Sequence, residues 1–155
     1  MKAKELMFGD IVLIEGTPRI VVQITKHKIG YHRTELPFGE CKMSYARLAD
    51  VAPIPLTPKI LKKNGFRVEE EVEDEFMGLC NCYSIDDDSV VIYWADSYNT
   101  MTCAGTEDFV KEQWKLEVYG QGGTISMYGP KLYIHQLQQA LRICGLNDLA
   151  DSIII

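Results

Sequence analysis

The chain has 155 residues, a net charge of −6 and a pI of about 5.1. Apolar residues make up 46% and charged residues 25%, proportions that exclude a disordered chain, a collagen-like fibre and a coiled coil. The length fits one compact domain or two very small ones. The charge is uneven: residues 1–65 hold 11 Lys and Arg against 6 Asp and Glu, whereas residues 66–155 hold 5 against 16.

The first fifty residues read as short strands. Phe8-Gly9-Asp10 is a turn, followed by the apolar run Ile11-Val12-Leu13-Ile14. Glu15-Gly16-Thr17-Pro18 is a second turn leading into the β-branched run Arg19 to Thr25, and the two runs form a hairpin. Lys28 to His32 reads as a third strand, residues 36–39 as a loop, and Tyr45 to Val51 as one or two further strands. Many short strands with tight turns predict a small antiparallel barrel of the SH3-like kind over residues 1–52.

Pro53 and Pro55 forbid helix and mark an ordered linker. Thr57-Pro58 then opens a helix, with Thr57 as N-cap and Pro58 at the first helical position, and Asn64-Gly65 closes it. The acidic run Glu69 to Glu75 reads as a solvated strand edge or loop. Strands are predicted at Gly78 to Tyr83, Ser89 to Trp94, Thr100 to Cys103 and Trp114 to Tyr119, separated by turns at Asp86-Asp87-Asp88 and Asp96 to Asn99 and followed by a glycine loop at Gly120 to Gly123. A helix follows from about Lys131 to Cys144. Ile134, Leu137, Leu141 and Cys144 form its apolar side, Gln136, Gln139 and Arg142 its polar side, and Leu137 and Leu141 are expected against the sheet carrying Val91 and Tyr93. Asn147 caps a short last helix, and the apolar end Ile153-Ile154-Ile155 is expected to tuck into a groove or a partner. The fold class is therefore α+β: an SH3-like barrel (1–52), then a helix, an antiparallel sheet and a C-terminal helix (53–155), able to pack as one unit.

Pro55, Thr57, Pro58, Asn64 and Gly65 within residues 54–66, the run Val90-Val91-Ile92-Tyr93-Trp94, and Tyr133, His135, Gln136 and Gly145 within residues 133–145 resemble a group of small proteins of Bacteroides-type gut bacteria. Genes of that group often lie near prophage or mobile-element genes. The resemblance covers about a quarter of the chain and implies a setting, with no assigned activity and no site residues.

Candidate chemistry is sparse. Cys80 and Cys82 share a strand face, with Cys103 on a possible neighbour, but the spacing is wrong for a zinc site. Asp86-Asp87-Asp88 lacks the alternating acids, central Gly and closing Glu of a calcium loop. His135 and Cys144 are nine residues apart, about 900° on a helix, and point to opposite sides. Gly120-Gln121-Gly122-Gly123 is not followed by the Lys-Ser/Thr of a P-loop and reads as a flexible hairpin loop. No cofactor, metal or catalytic residue is expected.

The five Cys, without a secretory signal, fit free thiols in the cytoplasm. No run of about 18 apolar residues marks a membrane span. The expected function is that of a non-enzymatic binding module, with a protein partner favoured. Nucleic acid is a second partner class, contacted by Arg19, Lys26, Lys28 and Arg33 with Tyr31 as a stacking platform. The alternatives are a hydrolase with an unrecognised Cys or acidic site, and an acidic decoy that mimics nucleic acid.

Overall fold

The computed structural model describes residues 1–33, 43–75, 77–85, 88–101 and 107–155, with side chains throughout except at 33, 96–101 and 107–111. The chain is a mixed α+β protein of two five-stranded antiparallel sheets and a few helices. Among the described residues, no helix is long and apolar enough to cross a membrane.

The first sheet contains β1 (Ile11–Ile14), β2 (Thr17–Ile24), β3 (Lys28–Arg33), β4 (Ser44–Arg47) and β5 (Val51–Ala52), in the order β4-β3-β2-β1-β5. It curls into a half-barrel. The β1–β2 connection is tighter than the expected four-residue turn: Glu15 and Gly16 alone make it, at φ +52° and +74°. Two successive positive φ values define the turn whose twist matches that of a hairpin. Pro18 thus lies inside β2 opposite Leu13. Among the described residues the ladder to β3 ends at Arg19–Arg33, so the missing N–H of Pro18 breaks no described bond to that strand.

Side-chain alternation along β1 joins the two halves. Val12 and Ile14 enter a small core with Leu6, Val21, Ile29 and Val51 on the concave side of sheet 1. Ile11 and Leu13, on the other side, pack against the main core.

The linker after β5 sends Ile54 and Leu56 into that main core and bridges the later chain through Pro55 and Tyr133. Helix α1 (Pro58–Lys63) begins where expected: the Thr57 hydroxyl oxygen accepts the Ile60 N–H at 3.3 Å. It ends with the Gly65 N–H donating to Lys62 O and the Phe66 N–H to Leu61 O, Gly65 taking φ +79°. Thr57→Ala is expected to cost about 1 kcal/mol; an unchanged chemical-denaturation midpoint would show that the cap contributes nothing.

The second sheet is a meander of β6 (Arg67–Asp74), β7 (Gly78–Ile85), β8 (Val90–Met101), β9 (Glu107–Gly120) and β10 (Gly123–Gly129), in the order β10-β9-β8-β7-β6. Three expectations need correction here. The turn predicted at Asp96 to Asn99 is strand: β8 continues through Met101, paired with β9 as far as Glu107. Backbone pairing with a long partner overrides local turn propensity. Thr100 therefore belongs to β8 rather than to a return strand, and Cys103 lies outside the described residues, as do Asp86 and Asp87. The glycine loop is a two-residue turn that starts a strand, β10, not anticipated from the sequence.

Helices α2 (Ile134–Ile143) and α3 (Asn147–Ser152) close the fold. α2 is shorter than expected, and Asn147 is the first helical residue of α3 rather than its cap. Leu137 and Leu141 are buried on sheet 2, but they face Val90, Ile92, Leu116 and Val118. Val91 and Tyr93 point to the opposite face. The continuous apolar run from Val90 to Trp94 does not declare its inner face, and a one-residue change of register exchanges the two. Of the final residues, Ile153 is buried, while Ile154 is 53% exposed and hydrogen-bonds through its N–H to Asn64 Oδ1.

Candidate functional site

The five basic and aromatic residues singled out in the first half do not form one cluster. Arg19, Tyr31 and the backbone position of Arg33 share the concave face of sheet 1, because Val12 pairs with Arg19, Arg19 with Arg33 and Val21 with Tyr31. The Arg19 guanidinium lies 5.9 Å from the Tyr31 ring centre. The side chain of Arg33 lies outside the described residues. Lys28 is on the convex face, paired with Arg47, and its ammonium stands 5.9 Å from the ring centre of Tyr45. Lys26 is in the β2–β3 turn, beside His27, and a shallow depression joins Lys26, His27, Lys28 and Arg47. Arg47 is held by Asp50 through two hydrogen bonds of 2.8 and 3.2 Å. The Arg47 guanidinium keeps the Asp50 carboxyl below its ordinary range.

The convex face has a second character nearer the joint of the two halves. Ile20 lies opposite Ile11 and Pro18 opposite Leu13, and Ile11, Pro18 and Ile20 line a groove of about 580 Å³ with residues 153–155 on its far side. Between groove and basic ridge sit His32, opposite Ile20, and Gln23, opposite Gly30. Two buried polar atoms here, His32 Nδ1 and Gln23 Oε1, have no hydrogen-bond partner among the described residues. A Cβ at Gly30 would crowd the Gln23 side chain and Met43 Sδ, so glycine allows both to close over the strand. One surface therefore runs from Ile20 to Tyr45, which is 52% exposed, and changes from apolar to basic and aromatic.

The groove exists because α2 clamps the first half. Asp10 is fully buried and accepts hydrogen bonds from the Met7 N–H at 2.7 Å, Gln139 Nε2 at 2.6 Å and Arg142 Nη1 at 3.0 Å. Arg142 also reaches Asp151 at 3.0 Å. Gln138, only 1% exposed, accepts the Ile11 N–H and donates to Ala150 O. Burial pushes the Asp10 carboxyl above its ordinary value, against the pull of these three donors. The polar side of α2 is thus the joint itself: Gln139 and Arg142 are its contacts. No periodicity in the sequence separates a solvated polar face from one that grips a buried carboxylate.

His135, in the first turn of α2, is 5% exposed and stacked on Tyr133 at 5.8 Å, with no hydrogen-bond partner at Nδ1 among the described residues. Burial pushes its pKa below 6.5, with Glu5 opposing. Protonation therefore favours the unfolded chain: this contribution to stability is complete above pH ~6.5 and is lost as pH falls from there through the depressed folded value. The melting temperature is expected to fall between pH 7 and 5, and less in His135→Gln; identical slopes would contradict this assignment.

The outer face of sheet 2 holds a saturated cation. Lys115 is buried and reaches Asp74 at 2.8 Å, Glu117 at 3.4 Å and the Tyr93 ring at 4.7 Å. Burial works against its ammonium, but the Asp74 hydrogen bond and charge outweigh it and raise the pKa above the ordinary lysine value. Cys80 and Cys82 share this face, and the Cys80 thiol is pushed up to about 11 by burial and by Asp74, the Cys82 thiol upward by burial and by Glu69. Thiols raised in this way are protonated at neutral pH, and the thiolate is the nucleophile. Cys80, Cys82 and Cys144 are free thiols; Cys41 and Cys103 lie outside the described residues. Among the described residues, no three His, Cys, Asp or Glu side chains are grouped as metal ligands. The acidic run forms the edge strand β6, where pairing puts Glu69 and Glu73 on opposite faces.

Fold and surface together define an α+β protein with a clamped joint and a two-part convex face. No family model, curated protein or solved structure matches the chain.

Proposed function

We propose that this protein is a non-enzymatic binding module: an SH3-like half-barrel, braced by the α+β part, that receives an extended segment of a protein partner along the convex face of sheet 1. The observation that carries the proposal is the continuity of that face, from the groove at Ile11, Pro18 and Ile20 to the ridge at Lys28, Tyr45 and Arg47. Such a surface is complementary to a segment with apolar residues followed by acidic ones. Apolar burial supplies affinity and opposite charge sets the orientation.

The test is selection from a random peptide library against the full chain. Apolar–acidic peptides are expected to be enriched, with binding weakened tenfold or more by Ile20→Asp and by Lys28→Glu. Leu79→Asp, on sheet 2, is expected to leave it unchanged. Binding insensitive to both sheet 1 variants would refute the proposal.

A second reading, contact with single-stranded nucleic acid, is favoured by the cations set over Tyr31 and Tyr45. Arg19 and Tyr31 lie on the face opposite Lys28, so one strand of nucleic acid has Lys26, Lys28, Tyr45 and Arg47 as its coherent contact. The acidic second half makes such binding weak and steeply salt-dependent. Absence of oligonucleotide binding near 20 mM salt, where screening reaches only roughly 20–30 Å, would dispose of it.

A further inference from the structure

The two edges of sheet 2 differ in one decisive respect. β6 carries Glu69, Glu70, Glu71 and Glu73, all exposed, and a register break between Glu69 and Val72 with Glu71 at φ +57°. Charge and bulge are devices that stop an edge from pairing with another chain. β10 has neither. Its seven residues, Gly123 to Gly129, include no charged residue and no proline, and they pair with β9 without a break. Thr124, Ser126 and Tyr128 are exposed, while Ile125 and Met127 are half-buried at the rim of the main core.

We propose that β10 pairs antiparallel with β10 of a second copy of this chain, about a twofold axis through Ser126. Side-chain alternation selects this register. It sets Ser126 against Ser126, Thr124 against Tyr128 on the outer face, and Ile125 against Met127 on the core side. It is also the register in which all seven residues take part, Gly123 meeting Gly129. Each apolar rim residue then covers its counterpart, and no like charges stand opposite one another. Glu117, behind the strand and paired with Ser126 in the ladder, lies 3.4 Å from Lys115, an ammonium that it shares with Asp74. An isologous pair of this kind is closed, so it gives a dimer rather than a fibre. A foreign strand is a poorer occupant, because the match of Ile125 with Met127 and of Thr124 with Tyr128 is a property of the strand toward itself.

The experiment is sedimentation of the full chain up to millimolar concentration at about 0.15 M salt, where a Debye length of about 8 Å screens the repulsion between two acidic copies. The expected result is a concentration-dependent shift from 17.6 kDa to twice that mass, abolished by Ser126→Lys, which sets two ammonium groups face to face. Register is read separately by mild oxidation. Ser126→Cys is expected to crosslink to a dimer, since opposed Cβ atoms lie about 4.5–5.5 Å apart. Thr124→Cys is not, since its symmetry mate is roughly 14 Å away along the strand. A monomer at every concentration, or crosslinking of Thr124→Cys as readily as Ser126→Cys, would overturn the proposal.

Discussion

Arg142→Ala is expected to destabilise the protein by about 3–5 kcal/mol, the cost of removing one partner from a buried ion pair. Asp10 is fully buried and Arg142 is nearly so. With the guanidinium gone, the carboxylate keeps the Met7 N–H and Gln139 but loses its only neutralising charge among the described residues. It must then either remain an unpaired charge in an apolar setting or take up a proton. The same substitution releases Asp151 and frees one wall of the groove. The double variant Arg142→Ala with Asp10→Asn is expected to recover part of the loss, because the amide removes the uncompensated charge while retaining hydrogen-bonding capacity. Chemical denaturation of both variants checks this; a double variant no more stable than Arg142→Ala would show that the charge is not the source of the effect.

The glycine turn between β9 and β10 carries the second large effect. A Cβ at Gly120 would overlap the carbonyl oxygen of Cys144, and one at Gly122 would overlap that of Ile143. These neighbours are backbone atoms at the C-terminal end of α2, where the Gly122 N–H donates to Cys144 O at 3.2 Å. No rotamer change relieves the clash. The end of the helix must withdraw, and with it Leu141 and Cys144, which are buried in the main core. Gly120→Ala is expected to cost about 3 kcal/mol, at the upper end of overpacking penalties. Gly16→Ala, at φ +74° with nothing near its Cβ position, is expected to cost only about 1 kcal/mol, from left-handed backbone alone. Equal costs for the two would contradict the close-approach account.

These two sites show where reading a sequence stops. The run Gly120 to Gly123 signals a turn, but glycine is used there because a helix end comes within contact distance, which is a tertiary fact. Thr57, Pro58, Asn64 and Gly65 are legible without the fold, since each cap is made and satisfied by its near neighbours in the chain. The strands of the first half are legible for a similar reason: short apolar runs punctuated by Gly carry their hairpins with them. β8 is longer than its own sequence announces, because its far half is defined by pairing with β9. β10 is masked by its small residues, although Ile125 and Met127 alternate with Thr124, Ser126 and Tyr128.

The candidate surface was legible only as a list of neighbours in the chain. Arg19, Lys28 and Tyr31 fall within thirteen residues, but a bulge between Val21 and Gln23 and the parity of each strand decide which face each occupies. Tyr45 and Arg47 join Lys28 only through the β3–β4 ladder. The groove needs residues 153–155 beside Ile20, a separation of more than 130 positions that no local pattern encodes.

The most direct measurement of the central claim is an amide chemical-shift map of the full chain, titrated with the strongest peptide from the library. Perturbations are predicted at Ile11, Ile20, Gln23, Lys28 and Tyr45 and in residues 153–155, forming one track across the convex face of sheet 1. A map confined to the outer face of sheet 2, around Cys82 and Tyr93, would contradict it.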